Sequence, residues 1–204
     1  MNFREFKEKV KKLPLFGSDV AQIFSVSPQA MRNQLSRWKK QELLVELRRG
    51  LYALGRGERQ TPLSREVVAA NIYQPSYISL DSALSHYKMI PEKVTPVTSV
   101  TTRKTKSFHN EEGMFTYRHL KTGLYFGFEF KKDEHGFPYF IASPEKALLD
   151  YLYLNLGRIH AGDKKFLNES LRLQNTSVLN KKKLFAFTKR FKVKKIERIL
   201  EQLK

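Results

Sequence analysis

Residues Phe16 to Leu54 set the tightest constraint on the fold, because a short helix, a tight turn, a basic second helix and a two-stranded hairpin follow one another there without interruption. Ser18 and Asp19 offer side-chain acceptors to the free N–H groups of a first helix. That helix carries Val20, Ile23 and Phe24 on one face and stops near Ser25. After Ser25-Val26-Ser27, Ser27 caps a second helix whose first residue is Pro28, where a missing N–H costs nothing. The spacing predicts this helix from Pro28 to about Gln41. Met31, Leu35 and Trp38 fall at i, i+4 and i+7 and form one apolar stripe, while Gln29, Arg32, Asn33, Ser36, Arg37 and Lys40 line the other side. Leu43 to Leu47 and Leu51 to Leu54 read as two strands joined by Arg48-Arg49-Gly50, with Gly50 able to take the positive φ of a tight hairpin.

This order is the outline of a winged helix-turn-helix. A helix of ~14 residues is about 20 Å long at ~1.5 Å per residue and fits along the major groove of a DNA duplex. Arginine can fork onto guanine, and glutamine or asparagine onto adenine, which makes Gln29, Arg32, Asn33 and Arg37 the expected readers of base edges. Ser36 shares their face, and Lys40 near the helix end suits a phosphate. Arg48 and Arg49, at the hairpin tip, suit the minor groove or the backbone. The plainer alternative is a small helical subdomain whose charged side faces water, since a polar helix face is the norm on any surface.

Charge along the chain agrees with the first of these. Of the net +18, residues 1–60 supply +7 (13 Lys and Arg against 6 Asp and Glu), residues 61–160 supply +2 (12 against 10) and residues 161–204 supply +9 (13 against 4). Two basic ends around a balanced centre predict contact with a polyanion or an acidic protein at both ends, with solvated lysine as the competing explanation for the last segment. With no cysteine there is neither a disulfide framework nor a thiolate metal site, and a reducing cytoplasm is the expected location. The start, Met1-Asn2-Phe3-Arg4-Glu5, has no apolar run, and apolar stretches elsewhere are short and interrupted by charge, so neither a signal peptide nor a membrane span is expected, and no membrane partner.

Outside the central motif, Phe3, Phe6 and Val10 predict a first helix over Phe3 to Leu13. Gly55 to Pro62 is polar and glycine-rich and is expected to act as a linker, dividing the chain into residues 1–58 and 59–204. Helices are expected over Ser64 to Tyr73 and from Ser79 to the Ile90-Pro91 break. A β-branched run from Val94 to Thr102, then Phe115 to Leu120, Tyr125 to Phe130 and Tyr139 to Ile141, predict a small, mostly antiparallel sheet. Ser143-Pro144-Glu145 opens a strongly apolar helix closed by Gly157, with three more over Asp163 to Leu173, Asn180 to Arg190 and Val193 to Leu203. The predicted fold class is α+β: the N-terminal winged helix-turn-helix, then a mixed domain with that sheet and basic C-terminal helices.

No catalytic set is legible. No two of His86, His109, His119, His135 and His160 have the i, i+4 spacing of a helical metal pair, and neither a glycine-rich phosphate loop nor a Gly-x-Ser-x-Gly elbow occurs. The expectation is therefore no enzyme, no metal and no cofactor. Glu145 and Asp150 share a helix, but Glu145 suits its N-terminal dipole. Tyr77, Tyr87, Tyr117, Tyr125, Tyr139 and Tyr151 could form a platform for RNA bases, or be core residues with tethered hydroxyls. Thr101 to Lys106 is a basic extension of a strand, suited to phosphate, an acidic partner or water.

Several segments together resemble the AbiEi family: the basic helix-turn-helix, Tyr77-Ile78-Ser79-Leu80-Asp81-Ser82-Ala83-Leu84, the Ile90-Pro91-Glu92 break, the Val97 to Lys106 strand, and Phe140-Ile141-Ala142-Ser143-Pro144-Glu145-Lys146-Ala147-Leu148-Leu149-Asp150. The likeness runs to about Leu156. These are antitoxins of type IV toxin–antitoxin and phage abortive-infection systems. The resemblance implies a transcriptional autorepressor whose N-terminal module binds double-stranded DNA at inverted repeats in its own promoter. It also implies a C-terminal domain that counters a cognate nucleotidyltransferase-type toxin without a stable complex. A stand-alone winged-helix regulator, or an RNA-binding protein using the tyrosines and basic tail, are the alternatives.

Overall fold

Helix α1 (Phe3–Val10) opens the computed structural model, which describes residues 2–159 and 166–203. Asn2 caps it reciprocally: its side chain accepts from the Glu5 N–H at 2.9 Å, and its own N–H donates to the Glu5 carboxylate at 3.3 Å. Strand β1 (Phe16–Gly17), a 3-10 helix (Ser18–Phe24), α2 (Pro28–Lys40), β2 (Leu44–Arg48) and β3 (Leu51–Leu54) follow. The strands form a three-stranded sheet in the order β1-β3-β2. Phe6 is the centre of this region, with ring centroids 4.7 Å from Trp38, 5.3 Å from Phe24 and 5.4 Å from Phe16. Met31, Leu35, Leu44 and Leu54 complete a small core.

The remainder is built on a six-stranded sheet in the order β6-β7-β5-β4-β9-β8, from β4 (Ser76–Ile78), β5 (Val97–Thr101), β6 (Lys106–Asn110), β7 (Gly113–His119), β8 (Phe128–Lys132) and β9 (Pro138–Ala142). Three neighbouring pairs are antiparallel, and β5·β7 and β4·β9 are parallel. Helices α3 (Arg65–Ile72), α4 (Leu80–His86), α5 (Pro144–Leu154), α6 (Lys181–Phe191) and α7 (Lys194–Leu200) pack around it. Helix α5 is central: every residue from Glu145 to Asp150 is buried. The molecule is α+β, with a small, mostly antiparallel sheet and C-terminal helices.

The hairpin β2–β3 belongs to two cores at once. Leu44, Leu54 and Tyr52 face the cluster around Phe6, whereas Val45, Leu47, Leu51 and Ala53 belong to the large cluster of the second sheet. Strand alternation accounts for this division, since successive side chains point to opposite faces. Polar bonds reinforce it: Asn110 Nδ2 donates to the Leu47 carbonyl at 2.9 Å, and Arg59, from the Gly55–Pro62 segment, pairs with Glu112 at 2.6 Å.

Several elements differ from the sequence reading. The first helix of the motif is 3-10, starts at Ser18 with Gly17 at its cap position and no side-chain cap, and so leaves Ser18 and Asp19 without the capping role expected of them. Helix α5 ends at Leu154 with Asn155 as its cap, and Gly157 lies in the following 3-10 turn (Leu156–Arg158). Tyr125 precedes rather than belongs to β8, because a 3-10 turn (Thr122–Leu124) and Gly127 at φ +74° delay the strand to Phe128. Of the helix expected over Asp163 to Leu173, residues 163–165 lie outside the described ones and Phe166–Ser170 form a single π turn.

Candidate nucleic-acid interface

Helix α2 forms where its chemistry is consistent. The Ser27 hydroxyl accepts from the Ala30 N–H at 3.2 Å, Pro28 occupies the first turn, and Ser25 turns the chain in the left-handed region at φ +51°. Met31, Leu35 and Trp38 are buried and seat the helix on the Phe6 core. The eight residues expected to meet nucleic acid, Gln29, Arg32, Asn33, Ser36, Arg37, Lys40, Arg48 and Arg49, are all exposed. At roughly 100° per residue, the six on α2 span an arc of about 140° centred opposite the buried stripe.

Three of them are tied together. Arg32 Nη2 donates to Gln29 Oε1 at 2.8 Å, and Gln29 Nε2 donates to Asn33 Oδ1 at 3.1 Å. The bonds follow the i, i+3 and i, i+4 neighbours on one helix face. They hold the guanidinium and two carboxamides side by side, the groups that pair bidentately with guanine and adenine edges. On the far flank, Lys39 bridges to Glu46 of β2 at 2.6 Å, and that carboxylate's charge and hydrogen bond push the Lys39 pKa up. The bridge links the helix to the hairpin across the surface. At the hairpin tip Gly50 has φ +78° and accepts from the Ser18 N–H at 3.2 Å, and Arg48 Nη1 donates to the Arg49 carbonyl at 3.0 Å.

A second polar constellation was only half visible in the sequence. Lys146, Asp150, Tyr77 and Ser79 are all buried. Lys146 Nζ bonds Asp150 Oδ1 and donates to the Tyr77 hydroxyl at 2.8 Å; Tyr77 and Ser79 each donate to Asp150 Oδ2 at 2.8 Å. Phe126 and Phe191 cover the ammonium with their ring faces at 5.2 and 5.1 Å. Burial pushes the Lys146 pKa down and the Asp150 pKa up, and their mutual attraction opposes both shifts. Glu145 points elsewhere, accepting from Ser143 Oγ at 2.8 Å and from the Asn180 N–H at 2.9 Å. The cluster is saturated with internal bonds and serves to lock α5 to β4. Its sequence signal was Lys146 and Asp150 at i, i+4 on an otherwise apolar helix.

The tyrosines divide in favour of the core reading. Tyr77, Tyr117 and Tyr139 are buried, and the hydroxyls of Tyr117 and Tyr87 donate to the Ala69 and Ala142 carbonyls at 2.6 and 3.0 Å. No group of three His, Asp or Glu side chains positioned to hold a metal ion occurs among the described residues. No helix among them is long and apolar enough to cross a membrane. The fold and the exposed basic helix define an α+β protein with a cationic face on its N-terminal side. Compared with models of known protein families and with curated proteins, the chain matches none.

Proposed function

We propose that this chain is a sequence-specific DNA-binding protein that reads a duplex with α2 and touches it with the hairpin tip. More particularly, following its resemblance to the AbiEi family, it is an antitoxin of a type IV toxin–antitoxin system that represses its own operon and counters a nucleotidyltransferase-type toxin. The observation that carries the DNA reading is the braced Arg32-Gln29-Asn33 row on the exposed face of a helix whose opposite face is fully seated. Hydrogen-bonding groups held at neighbouring positions lose less freedom on docking than free side chains do. In this reading Arg37 extends the row, Ser36 and Lys40 reach phosphates, and Arg48 and Arg49 contact the backbone or minor groove.

The test is a mobility-shift titration on the upstream intergenic duplex and on a random duplex, at two salt concentrations. Arg32→Ala or Arg37→Ala weakens specific binding by about 1–3 kcal/mol and leaves random-duplex binding less affected, as expected for a lost base contact. Affinity falls steeply as salt rises, because phosphate contacts release counterions. Equal loss on both duplexes would reassign the residue to the backbone, and structured RNA outcompeting the promoter would overturn the reading. Co-expression with a nucleotidyltransferase encoded beside it tests the antitoxin role: growth is restored by the full chain.

A further inference from the structure

The six-stranded sheet has two edges, and they differ. On one side, β6 is approached by the hairpin, with Asn110 bonded to the Leu47 carbonyl. On the other, β8 has β9 on its inner side and no strand beyond it among the described residues. Phe130 on β8 is 58% exposed, and its cross-strand partner Phe140 on β9 is 42% exposed, their rings 5.9 Å apart. An open strand edge beside two solvated phenylalanines is a surface that proteins ordinarily cover.

Hydrogen-bond phase shows which backbone groups that edge offers. The Gly127 carbonyl accepts from the Ser143 N–H at 2.9 Å, and the Asp133 N–H donates to the Phe137 carbonyl at 2.9 Å. With the register Phe128↔Ala142 through Lys132↔Pro138, these closures assign the odd-numbered residues to β9. The N–H and C=O groups of Phe128, Phe130 and Lys132 therefore point outward. An antiparallel strand centred on Phe130 meets all six groups.

We propose that β8 pairs with β8 of a second copy of this chain about a two-fold axis through Phe130, joining two six-stranded sheets into one. The sequence of the strand is self-complementary in this register. Phe130 faces Phe130 of the second copy, and Glu129 faces Lys131, twice over by symmetry. Phe128 faces Lys132, whose stem and ammonium suit a ring face. Glu129 and Lys131 lie in the non-hydrogen-bonded positions, where opposing side chains approach most closely. A two-fold contact uses the same patch on both partners, which is what a palindromic charge pattern satisfies. The inference stands apart from the proposed DNA contacts, which use other residues.

Sedimentation equilibrium of the full chain tests it. The wild type is expected to give a mass near twice 23.9 kDa at micromolar concentration. Lys131→Glu or Glu129→Lys alone sets like charges against each other and weakens dimerisation at least tenfold. Glu129→Lys combined with Lys131→Glu restores it, which a merely misfolded or unrelated surface would not do. Circular dichroism of each variant is expected to match the wild type. As an independent measurement on unaltered protein, amide exchange of Phe128, Phe130 and Lys132 slows as concentration rises. A wild type that stays monomeric at 100-fold higher concentration overturns the proposal. So does a dimer indifferent to both single reversals, or exchange at those amides that ignores concentration.

Discussion

Lys146 is the residue whose environment departs furthest from what its chemistry prefers. An ammonium taken wholly out of water costs several kcal/mol, and the fold keeps it because Asp150, Tyr77 and Ser79 complete a closed set of partners around the pair. Removing one partner should be far worse than removing both. Lys146→Met leaves the buried Asp150 carboxylate without its counter-charge and is expected to lower unfolding free energy by about 3–5 kcal/mol, whereas Lys146→Met with Asp150→Leu loses less, as urea titrations would show. At this scale the sequence was legible wherever exposure follows helical period: the six proposed DNA contacts on α2 all lie on the surface. It was silent at Ser79 and Lys146. A serine before a helix suggests a cap, but the Ser79 hydroxyl turns to Asp150, and Thr98 Oγ1 of β5 accepts the Ser82 N–H instead. A lysine in a first helical turn suggests solvent, and nothing in the local sequence says that α5 is covered on every side.

Among the elements, α6 is joined to α5 at its first turn by one carboxylate. Glu145 of α5 accepts the Asn180 N–H that opens α6 and lies 3.2 Å from Lys183 Nζ. Burial alone would raise its pKa, but the bonds from Asn180 and Ser143, with the nearby Lys183 charge, outweigh that and hold it below its ordinary value. A carboxyl with a depressed folded pKa stabilises the fold above its unfolded pKa and loses that contribution as pH falls through the folded one. Glu145→Gln is therefore expected to be less stable than the wild type by about 1–3 kcal/mol at neutral pH. The gap closes as pH drops below the unfolded value, and urea midpoints from pH 7 to pH 2 would record this. Strong periodicity made α2, α5 and α6 readable, with boundaries a residue or two out. The strands β4 and β6 went unseen because one is three residues long and the other mostly polar, so neither carries an alternating pattern. Gly127 was also beyond reach: a Cβ there would lie 2.8 Å from the Phe187 ring, a constraint set by a helix sixty residues away.

For the molecule as a whole, the two hydrophobic clusters share one hairpin, and this governs how it should unfold. Trp38 is the only tryptophan and sits in the smaller cluster, so its fluorescence reports that cluster alone, while far-ultraviolet dichroism reports the whole. The two signals are expected to change together on heating, and Leu47→Ala, which opens space in the larger cluster, should shift both after costing about 2–5 kcal/mol. Separate transitions would show the clusters to be independent. The polar, glycine-rich composition of Gly55 to Pro62 did not foretell the Arg59–Glu112 pair, nor was the hairpin's second allegiance legible, because alternation says that both faces are apolar without saying what each one meets. If the sheet edges join as proposed, each assembly carries two α2 helices, and inverted repeats are the DNA counterpart of that symmetry. A partition common to two rooms has no idle side. At Leu44, Val45, Leu47 and Leu51 to Leu54 any truncation opens a gap in one room or the other, whereas Arg48 and Arg49, exposed at the end of the wall, can be exchanged without loosening the building.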